Sequence, residues 1–155
     1  MGEIMVKVRL INEFDEALWE QGRLPKKRIR SVEVNALVDT GAVMMLLPRD
    51  LVKRLGLRKI DTVIVGLADD RRIEMDKAGT LSLTIAGRTM KCDCLVGPPG
   101  CEPLIGQLVI EELDLIADPA KRTLTPRPES PFSATLKLKA LASKPLGLAG
   151  PVSRV

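Results

Sequence analysis

Histidine and tyrosine are absent from this chain, and aromatic residues amount to one tryptophan and two phenylalanines. Without histidine, neither a Ser-His-Asp nor a Cys-His catalytic arrangement can form within one chain. With so few aromatics, the core has to be aliphatic. Cysteine is scarce too: Cys92, Cys94 and Cys101 are an odd number, with no secretion signal ahead of them, and do not suggest a disulfide framework. Cys92 and Cys94 share one face of an expected strand. With no histidine to complete a ligand set they read as structural thiols, so no metal and no cofactor is expected. No run of 18 apolar residues is present, and the N-terminus alternates with charges, so the reading is a cytoplasmic chain with no membrane partner. If the chain is a hydrolase, carboxylates have to carry its acid–base chemistry.

The sequence contains short alternating apolar stretches separated by turn residues. Ile4–Ile11 alternates with Lys7 and Arg9, Ser31–Val38 is rich in branched aliphatics, and Thr80–Ile85 and Arg88–Val96 flank Ala86-Gly87, a two-residue turn. Thr62–Glu74 reads as a hairpin with a charged tip at Asp69-Asp70. Pro48–Gly56 reads as a two-turn helix, Gln107–Leu113 as another, and Leu115–Leu124 as a last strand interrupted by Pro119. Asn12–Gly22 fits either a short helix capped by Asn12 or an Ω-type insertion. The basic run Lys26–Arg30 is read as a solvated approach to a strand in preference to a phosphate-binding patch. Many short strands make the fold class all-β, a barrel or a sandwich.

Net charge is +4 but unevenly placed: from Lys121 onward there are seven basic residues and one acid, whereas residues 1–120 hold 17 basic and 19 acidic. The division is therefore a domain over 1–125 and a proline-rich basic tail over 126–155, expected to be largely disordered, although Phe132–Leu141 has the apolar content to pair. No aromatic residues interleave with the tail's basic ones, which argues against a base-stacking nucleic-acid platform.

One stretch organises the chain. Ala36-Leu37-Val38-Asp39-Thr40-Gly41-Ala42 delivers a carboxylate from an apolar strand into a tight turn, and Ala42–Leu47 after it is apolar throughout. Asp-Thr-Gly by itself is an ordinary turn sequence. Between two apolar runs it is expected to be internal, where a carboxylate needs hydrogen bonds or a partner.

Val38-Asp39-Thr40-Gly41-Ala42 resembles the active-site motif of retropepsin-like aspartic proteases. Leu104-Ile105-Gly106, about 65 residues later and followed by Gln107–Leu113, resembles the family's second signature of two apolar residues and a glycine before a helix. Cys94–Pro99 is similar to the strand that leads into it, and the likeness spans roughly residues 30–125. The resemblance implies a closed β-barrel with one or two short helices, acting as a homodimer. One Asp-Thr-Gly per chain has to meet its copy at a two-fold axis to make the pair of carboxylates. Asp39, Thr40 and Gly41 are then the catalytic set: Asp39 with its mate as the dyad, Thr40 bonding across the axis, Gly41 accepting from a bound peptide. Ala42 leaves room beside that peptide. The hairpin, with Gly66, Leu67 and Ala68 near its tip, corresponds to the flap, and Met44, Leu67, Val96 and Ile105 are candidates for pocket walls. Val43 and Gln107 stand where retroviral members carry an Asp and an Arg that pair. The implied activity is aspartic endopeptidase on peptide or protein substrates. The alternative is a peptide-binding or dimerisation module of the same fold that does not cleave.

Overall fold

The computed structural model describes residues 2–138. Alternation makes β1 (Met5–Asn12) half-buried: Val8 and Leu10 point into the core while Lys7 and Arg9 face water. β1 pairs antiparallel with β2 (Ser31–Val38), Val8 lying opposite Val34. Between them Asn12 caps α1 (Glu13–Glu20), its side chain accepting from the Asp15 amide at 3.0 Å, so the segment is a helix and not an Ω-type insertion. The basic run forms a 3-10 turn at Lys26–Arg28, and Lys26 lies 5.5 Å over the Trp19 ring.

Three further segments follow: β3 (Leu46–Pro48), α2 (Arg49–Arg54) and the hairpin of β4 (Arg58–Gly66) with β5 (Arg72–Ile85). β6 (Arg88–Gly97) returns through Ala86-Gly87, both residues at positive φ (51° and 78°), the primed turn that suits the twist of a hairpin. β7 (Leu104–Ile105) and α3 (Gln107–Glu112) complete the main body. The sheet order β1-β2-β7-β3-β6-β5 closes where β5 pairs back onto β1, Leu10 opposite Leu83. This is a six-stranded closed barrel. With β6 along one edge, β5 is long enough to serve two partners along the other: its second half closes the barrel on β1, and its first half pairs with β4. The expectation of one final strand is corrected. β8 (Leu115–Asp118) and β9 (Thr123–Pro126) form a separate hairpin, because Asp118 caps a turn by accepting from the Ala120 and Lys121 amides at 3.0 and 3.2 Å. The described residues hold three short helices, one more than the upper expectation, and none is long and apolar enough to cross a membrane.

The core is aliphatic. Leu10, Leu47, Leu81, Leu83, Ile85 and Ile105 are buried, whereas Phe14, Trp19 and Phe132 are all exposed. Each such buried side chain contributes about 1.5–3 kcal/mol by leaving water. Arg127 to Thr135 turn back against the end of α3; the rest of the tail, residues 139–155, lies outside the described residues.

One buried charge is held near the barrel's closure. The Asp15 carboxylate accepts from Arg30 Nε at 2.8 Å, Nη2 at 2.9 Å and the Arg30 amide at 3.0 Å, which assigns Arg30 of the basic run to structure. Hydrogen bonds from the Arg30 side chain lead in holding the Asp15 carboxyl below its ordinary 3.8, outweighing burial. A depressed carboxyl stabilises the fold above its unfolded value and loses that contribution as pH falls through the folded one. Stability should therefore decline below about pH 3.8 in part through Asp15. Urea unfolding of Asp15→Asn should show a loss of about 1–3 kcal/mol at pH 7 and a flatter decline in acid. An unchanged acid slope in that variant would contradict the assignment.

Candidate active site

The site begins where β2 runs beside β7. These strands are parallel, Leu37 opposite Leu104 and Val38 opposite Ile105, so the chain's two signature stretches are adjacent in space. The Leu37 amide donates to Pro103 O and the Asp39 amide to Ile105 O, each at 2.9 Å. Asp39 is thereby fixed at the barrel's rim. Its Oδ1 accepts from the Gly41 amide at 3.0 Å, and its carbonyl accepts from the Ala42 amide at 3.1 Å. The carboxylate is thus aimed by its own turn. No cation pairs with it among the described residues.

After the turn the chain crosses the start of α3. The Gln107 amide donates to Ala42 O at 2.7 Å and the Leu108 amide to Val43 O at 3.0 Å. The first amides of a helix have no partner within it, and here the loop carbonyls supply one. Contact is so close that a Cβ on Gly106 would lie 2.6 Å from Met44 O and 2.8 Å from Val43 O. Gly106 is needed for the space it leaves. Gln107 turns its side chain to Glu111, Nε2 to Oε1 at 3.1 Å, and loop and helix are tied through backbone alone, Gln107 to Ala42 and Leu108 to Val43.

The expectation that the turn is internal is corrected. Thr40 and Gly41 are exposed, Asp39 and Ala42 are half-buried, and Val43 is 65% exposed. Strand β2 ends at Val38 and β3 begins at Leu46; of the loop between them Met45 alone is buried, so most of its apolar composition does not become burial. Two pocket candidates are also displaced. Ile105 at 0% and Val96 at 6% exposure belong to the core and offer no surface to a ligand; strand alternation turned them inward. Met44 is half-buried next to the loop.

The β4–β5 arm carries Gly66 and Ala68, both exposed, and the half-buried Leu67. Its tip is closed by the Leu67 amide donating to Arg71 O at 2.8 Å, and Arg71 Nε meets Asp69 Oδ2 at 2.6 Å. Cross-strand pairs Val63–Met75 and Val65–Ile73 place four apolar side chains on one face of the arm. The roles of this face, of the space at Gly106 and of the α3 amides went unread in the sequence. The alternation of Val63 and Val65 was a signal for the first; the others depend on a crossing that has no local signature.

The aspartyl protease family model matches residues 26–109, more than half of the chain. The chain belongs to that family, as a retropepsin-like aspartyl protease. The matched span holds the Asp39 turn, the β4–β5 arm and the Leu104–Gly106 crossing together. No curated protein matches the chain.

Alanine at position 106 should push the Met44 and Val43 carbonyls away and displace the Asp39 turn. Gly106→Ala is expected to lose about 1–3 kcal/mol in urea unfolding, the range for forcing atoms into a packed site. A variant of unchanged stability would show that the loop moves aside freely.

Proposed function

We propose that this chain is an aspartic endopeptidase that works as a homodimer, with Asp39 from each subunit forming the catalytic pair. The observation that carries the reading is the state of the Asp39 turn in one subunit. A hydrogen-bonded carboxylate stands at the rim of the barrel, with exposed Thr40 and Gly41 beside it and the apolar Val43 in the open. One carboxylate cannot serve as base and as acid in the same step. A second copy brought up against this face supplies the missing group and covers the exposed loop.

The chemistry follows from two carboxylates that share a proton. The ionised member takes a proton from a water as its oxygen attacks the scissile carbonyl carbon. The protonated member donates to the carbonyl oxygen, giving a neutral gem-diol intermediate. On collapse the member now ionised takes a proton from one gem-diol hydroxyl as the C=O bond re-forms and the C–N bond breaks, while the other carboxyl gives its proton to the leaving amine, which restores the shared-proton pair. In this reading Thr40 bonds across the axis, and Gly41 offers a backbone carbonyl to an extended peptide. The apolar face of the β4–β5 arm and Met44 favour apolar substrate side chains, while Val96 and Ile105 support the site from beneath.

A second reading, a peptide-binding module that does not cleave, is favoured by the arm's tip. The Asp69–Arg71 pair ties charge where mobile glycines serve the retroviral members.

Asp39→Asn separates the two. Wild type and variant would be incubated with a complex peptide mixture between about pH 4 and 7, and new termini read by mass spectrometry. Cleavage should rise toward the acid end, be blocked by a statine-type peptide, and fall by about 10²–10⁴-fold or more in Asp39→Asn, with the circular dichroism melt retained. Equal cleavage by both chains would exclude Asp39 as the catalytic group. A folded wild-type dimer that binds peptides and cuts none would establish the second reading.

A further inference from the structure

The end of α3 is a latch for the tail. Asp114, just past the helix at φ 52°, accepts from the Ser130 hydroxyl, from the Thr135 amide at 3.1 Å and from Arg127 Nε at 3.1 Å. Arg88 reaches across from β6 to the Leu113 and Asp114 carbonyls, both at 2.9 Å, and to Ser130 O. These bonds set the direction in which the chain leaves. Thr135, Leu136 and Lys137 line, together with Gln107, Leu108 and Glu112 of α3, an open groove of about 570 Å³. The last described residues therefore lie near the start of α3, whose Leu108 amide holds the Asp39 loop.

A second cavity continues from there. It measures about 330 Å³, shares Leu108 and Glu112 with the first, and is walled by Met44, Met45, Met90, Cys92 and Val109. The walls are apolar and rich in sulfur, a surface that adapts to varied apolar side chains. Around its rim Lys77 pairs with Asp93 at 3.8 Å and Lys91 with Glu13 at 3.1 Å, while no cation pairs with Glu112 among the described residues. The sequence beyond Leu138 complements this surface: Leu141, Leu146 and Leu148 with Lys139, Lys144 and Arg154, and no acid after Glu129. Seventeen residues, 139–155, reach about 55 Å when extended, several times the length of such a groove.

We propose that the groove between Met44, Met90 and Leu108 is the docking site of this chain's own C-terminal segment, Leu141–Leu148, and that the docked segment restrains the Asp39 face. Met44 is part of the loop that carries Asp39, and Leu108 holds that loop through its amide, so an occupant of the groove acts on the site through both. The effect on catalysis rests on the endopeptidase reading; the docking does not.

The test uses the full-length chain with ¹³C-methyl methionine, comparing wild type with the triple variant L141E/L146E/L148E. The three leucines lie outside the described core, and matched thermal melts check that the barrel is intact. Docking predicts that the methyl signals of Met44, Met45 and Met90 move in the variant, while those of Met5 and Met75, which do not line the groove, stay in place. Methyl signals that coincide in the two chains would overturn the proposal. So would a wild-type shift that disappears on dilution and recurs in the variant, which would assign the groove to a second copy. Peptide cleavage is read in parallel and should be about tenfold faster in the variant, since the docked fraction is withdrawn from the competent population. Methyl shifts without cleavage in either chain would sustain the docking and tell against the endopeptidase. Cleavage at equal rates, with the methyl shifts present, would overturn the restraint.

Discussion

The crossing of the Asp39 loop over α3 is the constraint on which the rest of the site depends. A helix start leaves amides without partners, and a loop outside the barrel leaves carbonyls without partners. Here each supplies the other, through Gln107 to Ala42 and Leu108 to Val43, and Gly106 permits the approach. The Asp39 amide bonded to Ile105 O fixes the other end of the loop to β7. The carboxylate is thus positioned by backbone geometry at both ends of its turn, without help from a charged neighbour. Such a frame can tolerate Val43 and Gln107 where an ion pair would otherwise tie loop to helix.

The barrel makes this frame stiff. β2 and β7 are parallel neighbours only because β3 and β6 continue the sheet and β5 closes it onto β1. Closure removes most free edges from the body and leaves β4 as the outer strand of a projecting arm. The aliphatic core fills the closed body, and the three described aromatics are all on the surface. A turn anchored on the barrel and an arm projecting from it are therefore both served by one feature of the sheet, the long β5.

Charge is used sparingly inside and at specific ends. Asp15 with Arg30 ties α1 to the start of β2, and Asp114 with Arg88 and Arg127 ties the end of α3 to the first part of the tail. Hydrogen bonds to the Asp114 carboxylate, first from Ser130 and then from Thr135, hold it below its ordinary range, so it stays an acceptor at neutral pH. Both clusters sit at junctions where the chain leaves the barrel. α3 consequently carries the connection to the Asp39 loop at its start and a tail connection at its end.

The sequence by itself determined what depends on neighbours along the chain. Alternation set the inward faces of β1, β2 and β6, Ala86-Gly87 set its turn, and the run into Asp39 placed a carboxylate at a strand end, whereas Asn12 was legible only as one of two alternatives. The two signature stretches were legible for the same reason, since each is a short local pattern. Tertiary structure alone decided what depends on closure and crossing. It exposed the Asp39 turn that apolar flanks had suggested was internal, buried Val96 and Ile105, split the last strand into a hairpin, and joined Arg88 to Asp114 and Ser130. Those outcomes link residues far apart in sequence. Periodicity states which side of an element is apolar; it does not state which element will cover that side, or leave it open to a partner.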